Sequence, residues 1–519
     1  MSLLSVEDVS HNFGDRVLFK DVSFRLLDGE HVGIVGANGV GKSTLMNILT
    51  GKLLKDNGKV EWTPRVRYGY LDQHTLLTAG KTVRDVLKDA FLPLLELEHE
   101  MLAITDKMGE ATPEELDLLL EQMGDIQEQL DIGDFYLIDV KVEEMANGLG
   151  LTAIGLDRDV TSLSGGQRTK VLLAKLLLEK PNVLLLDEPT NYLDVEHIDW
   201  LTNYLKQYPY AFMLISHDTE FMNKVVDVIY HLEFSKLTRY TANYEKFLEM
   251  AGMNKAQHID AYEKQQDFIK KQEDFIQRNK ARASTSGRAK SREKQLGRME
   301  RIDKPEEAMK PTFQFKESRA SGKTVFEGVD FEIGYDRPLL PSKLNMMIER
   351  GDKIAIVGYN GVGKSTLLKT ILGVIPTYSG KTYLGDYLSS AYFQQELKAE
   401  NITPIEDVWN EFSGLTQNEV RGHLARCGLK NEHITRPMNM LSGGEQAKVR
   451  LCKLMMRESN WILFDEPTNH LDIVAKAELK RALMEYKGTI LLVSHEPEFY
   501  EDWVTKVWNV EQWSAQTVH

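Results

Sequence analysis

Residues 36–43 read Gly36-Ala37-Asn38-Gly39-Val40-Gly41-Lys42-Ser43, with Thr44 next. This is the phosphate-cradling pattern G-x-x-x-x-G-K-[ST]. The pattern needs a strand before it and a helix after it. His31-Val32-Gly33-Ile34-Val35 predicts the strand, and Thr44 to Leu49 the start of the helix. The glycines let backbone N–H groups turn toward phosphate oxygens, and the helix N-terminus adds partial positive charge. In that setting Lys42 reaches β- and γ-phosphates and the Ser43 hydroxyl is a Mg²⁺ ligand. The pattern recurs at Gly358-Tyr359-Asn360-Gly361-Val362-Gly363-Lys364-Ser365, followed by Thr366 and preceded by the strand-like Lys353-Ile354-Ala355-Ile356-Val357. A whole α/β domain has been duplicated, with Lys364 in register with Lys42, and the rest of the chain is read against that fact.

The 519 residues allow two or more domains with their own cores. Hydrophobic content of 42% and charged content of 27% are those of an ordinary globular chain. No apolar run approaches the length of a membrane-spanning helix. The first residues, Met1 to Asp8, lack the features of a secretory signal. Two cysteines, Cys427 and Cys452, exclude a disulfide framework and fit a reducing cytoplasm. A net charge of −15 argues against nucleic-acid binding by the chain as a whole, but hides local asymmetry.

Paired spacings mark the other site residues. Phe13, in the turn-like Asn12-Phe13-Gly14-Asp15, precedes Lys42 by the same interval as Tyr335 precedes Lys364. A lone aromatic would be read as core; one kept in both copies is expected to stack on an adenine ring. Gln73 and Gln395 follow their lysines at one shared distance and are expected to approach Mg²⁺ or the attacking water. Leu163-Ser164-Gly165-Gly166-Gln167 and Leu441-Ser442-Gly443-Gly444-Glu445 each open an amphipathic helix and form a second anion site. One domain does not need two γ-phosphate cradles. Two domains facing head to tail, each offering this loop to the other's nucleotide, resolve the excess.

Val183-Leu184-Leu185-Leu186-Asp187-Glu188 and Trp461-Ile462-Leu463-Phe464-Asp465-Glu466 read as buried strands ending in two acids, at equal distances after Ser164 and Ser442. Asp187 and Asp465 are expected to hold Mg²⁺. Glu188 and Glu466 are expected to orient or deprotonate the attacking water. Asn191-Tyr192-Leu193-Asp194 and Asn469-His470-Leu471-Asp472 are placed at the domain interface. His217 and His495 follow Glu188 and Glu466 at one common interval, just after a strand, and are read as γ-phosphate sensors. In order and spacing these motifs resemble ATP-binding cassettes, over residues 1–240 and 323–519. The resemblance implies two ATP molecules between the halves, one between Lys42 and the Ser442 loop, the other between Lys364 and the Ser164 loop.

The copies differ in two places. The interval from Lys42 to Ser164 is longer than that from Lys364 to Ser442. The excess is placed within 91–131 as a helical hairpin arm, with Thr112 as N-cap and Glu115 completing a capping box. Twelve acids and one lysine between Leu92 and Asp131 should keep the arm off RNA phosphates; such a surface serves solubility alone or, as the sharper expectation, touches a basic protein. Residues 241–322 have no cassette counterpart. Phe247, Ala261, Phe268 and Phe275 recur at multiples of seven and predict a helix of about 38 residues, or roughly 55 Å. After a break at 281–287, a second helix is expected through Leu296, Met299 and Ile302. The tip carries Arg278, Lys280, Arg282, Arg288, Lys290, Arg292, Lys294, Arg298 and Arg301 against Glu293 and Glu300, a local balance of +7. Without an aromatic residue it is expected to contact RNA backbone and shape rather than bases.

Two fused cassettes, an arm in the first, a charged helical linker and Asp465-Glu466-Pro467-Thr468-Asn469-His470-Leu471-Asp472 are together similar to the ABC-F proteins. The resemblance implies an ATP hydrolase, bacterial and cytoplasmic, that binds the ribosome near the exit-tRNA site. It also implies that the linker reaches large-subunit rRNA and peptidyl-tRNA, and that the arm meets a ribosomal component at the side. The short linker tip implies a housekeeping role in translation. Tyr192 against His470, and Gln167 against Glu445, are departures that make the two ATP sites unequal. Two fused cassettes need no second copy to close, so a monomer is expected. Two other readings stay open: the fused ATPase subunit of a transporter whose membrane chains are separate, and a DNA-associated cassette ATPase. The cassettes alone do not separate these.

Overall fold

The computed structural model describes residues 1–519 except 14–15, 72–78, 110–111, 192, 234, 280–285, 300–309, 341, 360, 395–400, 470 and 514–519; for residues 13, 16, 113–114, 279 and 286–290 it describes the backbone alone. Each half has the same plan. In the first, a parallel sheet runs in the order Tyr68–Tyr70, Val183–Asp187, Ala211–Ile215, His31–Val35, Val228–Glu233, with Lys236–Tyr240 added antiparallel at the edge. In the second the order is Ser390–Phe393, Trp461–Asp465, Thr489–Val493, Lys353–Val357, Lys506–Asn509. Helices cover both faces, so the central strands are apolar throughout rather than alternating; Val183, Leu184, Leu185 and Leu186 are all fully buried. An antiparallel three-stranded sheet flanks each core. Its order is Arg16–Leu27, Ser2–Phe13, Asn57–Trp62 in the first half and Leu344–Glu349, Thr324–Glu332, Ser379–Leu384 in the second.

The duplication extends to unusual backbone angles. Asp8 and Asp330, equivalent positions of the two copies, have φ of 49° and 48°. Phe13 ends the strand Ser2–Phe13 and pairs with Arg16, so it lies at a strand terminus rather than in an open turn.

The arm is the pair Leu92–Met108 and Pro113–Ile132. Ile104, Ile126 and Leu130 form its small core. Thr112 is the N-cap of the second helix, and Glu115 accepts from the Thr112 backbone N–H at 3.0 Å and from its hydroxyl at 2.8 Å. Thr112→Ala removes the cap and is expected to destabilise the arm by about 1 kcal/mol. Faster amide exchange over 115–120 with unchanged exchange in the sheets would show it.

The linker begins with a helix at Tyr244–Asn279, 36 residues and about 54 Å long. Tyr244 and Phe247 belong to the first cassette's core, so Phe247, first of the heptad positions, anchors the helix rather than pairing it with its partner. The returning helix is Ser286–Arg298. It starts inside the stretch expected to be a break, and Met299 lies just past its end; Ile302 is outside the described residues. Arg292 stacks over the Phe275 ring at 3.8 Å and ties the two helices. The second cassette starts earlier than residue 323, because Phe313 and Phe315 are part of its core. Among the described residues, no helix is long and apolar enough to cross a membrane.

Candidate functional site

Each parallel sheet ends in a phosphate cradle. Gly41 and Gly363 cap the helices Lys42–Leu49 and Lys364–Ile371 with φ of 105° and 107°, values open to glycine and strained for other residues. A Cβ on Gly41 would also lie 2.9 Å from the Phe19 ring. Gly41→Ala is therefore expected to lose about 1–3 kcal/mol of stability, read as a lowered Tm, together with ATP binding. Gly39 and Gly361 have φ of 76° and 88° and Gly358 of 148°, while a Cβ on Gly36 would lie 2.5 Å from the Leu232 carbonyl oxygen. Both lysines fold back into their own loops. Lys42 Nζ donates to the carbonyls of Gly36 at 2.8 Å and Ala37 at 3.2 Å, and Lys364 Nζ to those of Gly358 at 2.6 Å and Tyr359 at 3.0 Å. Burial lowers both lysine pKa values, against the acids around them. Asn38 is part of the first loop, while Asn360, Gln73 and Gln395 lie outside the described residues.

Asp187 and Asp465 stand beside the cradle serines. Ser365 Oγ donates to Asp465 Oδ1 at 3.0 Å, and Ser43 hydrogen-bonds Asp187. The Tyr392 hydroxyl donates to the other Asp465 oxygen at 3.3 Å. Burial pushes Asp187 upward and, with Glu466 alongside, Asp465 up to about 6. A hydroxyl and a carboxylate, both hard oxygens and held where negative charge is undercompensated, fit Mg²⁺, which takes one or two protein oxygens and fills its shell with phosphates and water.

Glu188 and Glu466 have φ of 50° and 49°. Their backbone N–H groups donate to the carbonyls of Ile215 and Val493 at 2.8 and 3.1 Å, which pins each residue in the left-handed region. Strain of this kind gathers at functional sites. His217 Nε2 lies 3.4 Å from Glu188 Oε1, and His495 Nε2 lies 3.3 Å from Glu466 Oε1. The two glutamates are held differently. Burial and adjacent Asp187 push Glu188 up to about 8. Burial also raises Glu466, but His495, Lys364 and the Asn469 amide, 2.7 Å away, outweigh it and leave the carboxyl below its ordinary range.

The Ser164 and Ser442 loops are helix N-termini with capping boxes. Ser164 Oγ accepts from Gln167 N at 3.3 Å, and Ser442 Oγ from Glu445 N at 3.3 Å; Gln167 and Glu445 accept in return from the serine backbones at 3.0 and 2.9 Å. Gln167 and Glu445 thus hold one structural position. A hydroxyl that accepts in its cap keeps its donor hydrogen for an anion. Gly165 and Gly166, and Gly443 and Gly444, form the first turns behind these serines.

Charges reach across the halves in both directions. The charge of Asp472 acts on Lys42, and that of Asp194 on Lys364. Lys476 of the second half acts on Glu188. Asp472 in turn receives Lys448 Nζ at 3.0 Å, from the helix that Ser442 opens. Reading the motifs alone misses Lys448. Its signal is present in the sequence: Lys170 and Lys448 both lie six residues after their serine. Tyr335 is 61% exposed, and Phe13 is described by backbone alone. Of the tip cations, Arg278, Arg292, Lys294 and Arg298 lie on the linker helices; Arg288 and Lys290 are described by backbone alone, and Lys280, Arg282 and Arg301 lie outside the described residues.

Two cradles, each reached by an acid of the opposite half, define a tandem ATP-binding-cassette ATPase. An ABC transporter family profile matches residues 19–191 and 341–469, and a second one matches 230–315. The chain is 58% identical over its full length, and that of the relative, to the uncharacterized ABC transporter ATP-binding protein YfmM of Bacillus subtilis. It is 35% identical to ABC transporter F family member 2 of Arabidopsis thaliana, over 97% of this chain and 75% of that one. It is 31% identical to the energy-dependent translational throttle protein EttA of Mycobacterium tuberculosis, over 97% and 90%. The chain belongs to the ABC-F family and hydrolyses ATP.

Proposed function

We propose that the protein is a cytoplasmic translation factor that binds the ribosome with its cassettes closed on ATP and leaves after hydrolysis. The observation that carries this reading is the linker: a 36-residue helix and its returning partner carry the cations Arg278, Arg292, Lys294 and Arg298 in a chain whose net charge is −15. A lever of this kind has no use in coupling to membrane chains, and it suits a site lined by RNA phosphates. The translational throttle relative supports the same reading. In this account the body sits at the exit-tRNA site, the tip meets rRNA and peptidyl-tRNA, and the acidic arm meets a basic ribosomal protein.

ATP bridges the halves, with Lys42 opposite the Ser442 loop and Lys364 opposite the Ser164 loop, and Phe13 and Tyr335 stacked on the adenines. Ser43 with Asp187, and Ser365 with Asp465, joined by Gln73 and Gln395, would hold Mg²⁺, which when bound offsets charge on the β- and γ-phosphates. Glu188 and Glu466 orient or deprotonate the attacking water. His217 and His495 fix those carboxylates and sense the γ-phosphate. Asp194 and Asp472 report on the opposite cradle, so closure and chemistry are linked. ATP shifts the population to the closed form because it contacts both halves only there.

The test is ribosome co-sedimentation of the Glu188→Gln, Glu466→Gln variant over a salt series. Retention is expected only with ATP and is expected to weaken steeply with salt. Adding Arg292→Glu, Lys294→Glu and Arg298→Glu is expected to flatten the salt slope. A variant that binds ATP but no ribosome at any salt would instead favour a transporter subunit.

A further inference from the structure

Within the second cassette, the chain's own segment ahead of the first strand lies in a groove between two helices, Gln417–Arg426 and Ile473–Glu485. Its burial alternates, with Pro311, Phe313 and Phe315 inward and Thr312, Gln314 and Lys316 outward. Thr312 N donates to the Arg426 carbonyl at 2.7 Å, Phe313 N to Glu478 Oε1 at 2.9 Å, and Arg481 to the Phe313 carbonyl at 3.1 Å. Lys316–Glu317 then adds a parallel bridge to Glu458–Ser459. The segment is an extended strap seated by an aromatic side chain that is 1% exposed.

The first cassette contains the same pair of helices at the equivalent positions, Ile138–Gly148 and Val195–Lys206. No described residue of the chain fills the groove between them. It is an open cleft of about 630 Å³. Its floor is Trp200, in the place of Glu478, and its end is His197, in the place of Ala475. Two glycines seat these rings: a Cβ on Gly148 would lie 2.1 Å from the Trp200 indole, and one on Gly150 2.5 Å from the His197 imidazole. The walls carry Glu143, Glu144 and Glu196, all exposed, where the second cassette has Arg421, Gly422 and Val474. Arg84 offsets Glu143 only at 3.5 Å.

We infer that this cleft is a docking groove for an extended, basic segment of a partner protein that inserts an aromatic or aliphatic side chain over Trp200. The shape follows from the strap that occupies the duplicate groove, and the sign of the charge from the three glutamates that replace an arginine, a glycine and a valine. An indole floor beneath carboxylate walls also suits a guanidinium, which stacks on the ring while pairing with the acids.

The probe is a fluorescein-labelled octapeptide patterned on the strap, Lys-Pro-Arg-Phe-Arg-Phe-Lys-Arg, titrated by anisotropy into the full-length protein without ribosomes. It is expected to bind, with slower amide exchange over 138–148 and 195–206. Glu143→Gln with Glu144→Gln and Glu196→Gln is expected to weaken binding about tenfold. An equal charge change on the flanking antiparallel sheets, Glu7→Gln with Glu61→Gln and Glu327→Gln, all exposed, is expected to leave it within about twofold. A glutamate-for-cation peptide is expected not to bind. No binding of the basic peptide, equal loss in both triple variants, equal binding of the acidic peptide, or protection elsewhere would each overturn the inference.

Discussion

Replacing Glu188 and Glu466 together by glutamine is expected to lower steady-state ATP turnover by about 100-fold or more, while ATP binding stays within about twofold. Glutamine matches the carboxylate in size, so the left-handed backbone at both positions is asked nothing new. On the proposed mechanism, what is lost is the carboxylate that orients or deprotonates the attacking water at the end of each strand. The lysines, glycines and serines proposed to bind the phosphates are untouched, so affinity is expected to persist. The single variants are expected to differ from each other. Glu466 is fixed by His495 and Asn469, whereas Glu188 is buried beside Asp187 with a raised pKa. Single-turnover hydrolysis with separate measurement of nucleotide affinity decides the matter. A double variant within about threefold of wild-type turnover would remove both glutamates from the chemistry.

Phe313→Ala is expected to destabilise the second cassette by about 3–5 kcal/mol, the range for emptying a buried aromatic site. The ring is 1% exposed in the core that also contains Phe315, Phe464 and Tyr486. Because only the side chain is removed, the backbone bonds of Thr312 and Phe313 to Arg426 and Glu478 remain available, and the strap is expected to loosen rather than to vanish. Chemical denaturation should show a lower midpoint for the second cassette alone. Limited proteolysis should open a new cut near 310–318. A stability unchanged within about 1 kcal/mol would mean that the strap merely rests on the surface.

The repeats made the sites legible because each spacing occurred twice, and a side chain kept at one offset in two copies is rarely kept for packing alone. Asp187, Glu188 and their counterparts, the cradle glycines and the capping serines could be named in this way. Other features carried no such trace. The positive φ of Glu188 and Glu466 arises from a backbone bond to a neighbouring strand, and nothing in an Asp-Glu pair announces it. Lys448 did carry the trace, sharing its offset with Lys170, but a lysine on an amphipathic helix reads as solvated until a buried partner, here Asp472, is seen. Phe247 fitted a heptad, yet its contacts are with the first cassette, since periodicity gives a face but not its neighbour. Phe313 and Phe315 lie outside the duplicated motifs, so motif spacing alone puts the start of the second core too late.

The long linker helix is rooted in one core by Tyr244 and Phe247, and the chain enters the other core at Phe313 and Phe315. A rod rooted in a body turns with it: any rotation of the first cassette is carried along the helix Tyr244–Asn279. A turn of about 10° at the base of a rod of about 54 Å sweeps its tip through about 9 Å. On the proposed cycle, closure of the cassettes on ATP is thereby expected to be magnified along the helix into a larger displacement at its far end.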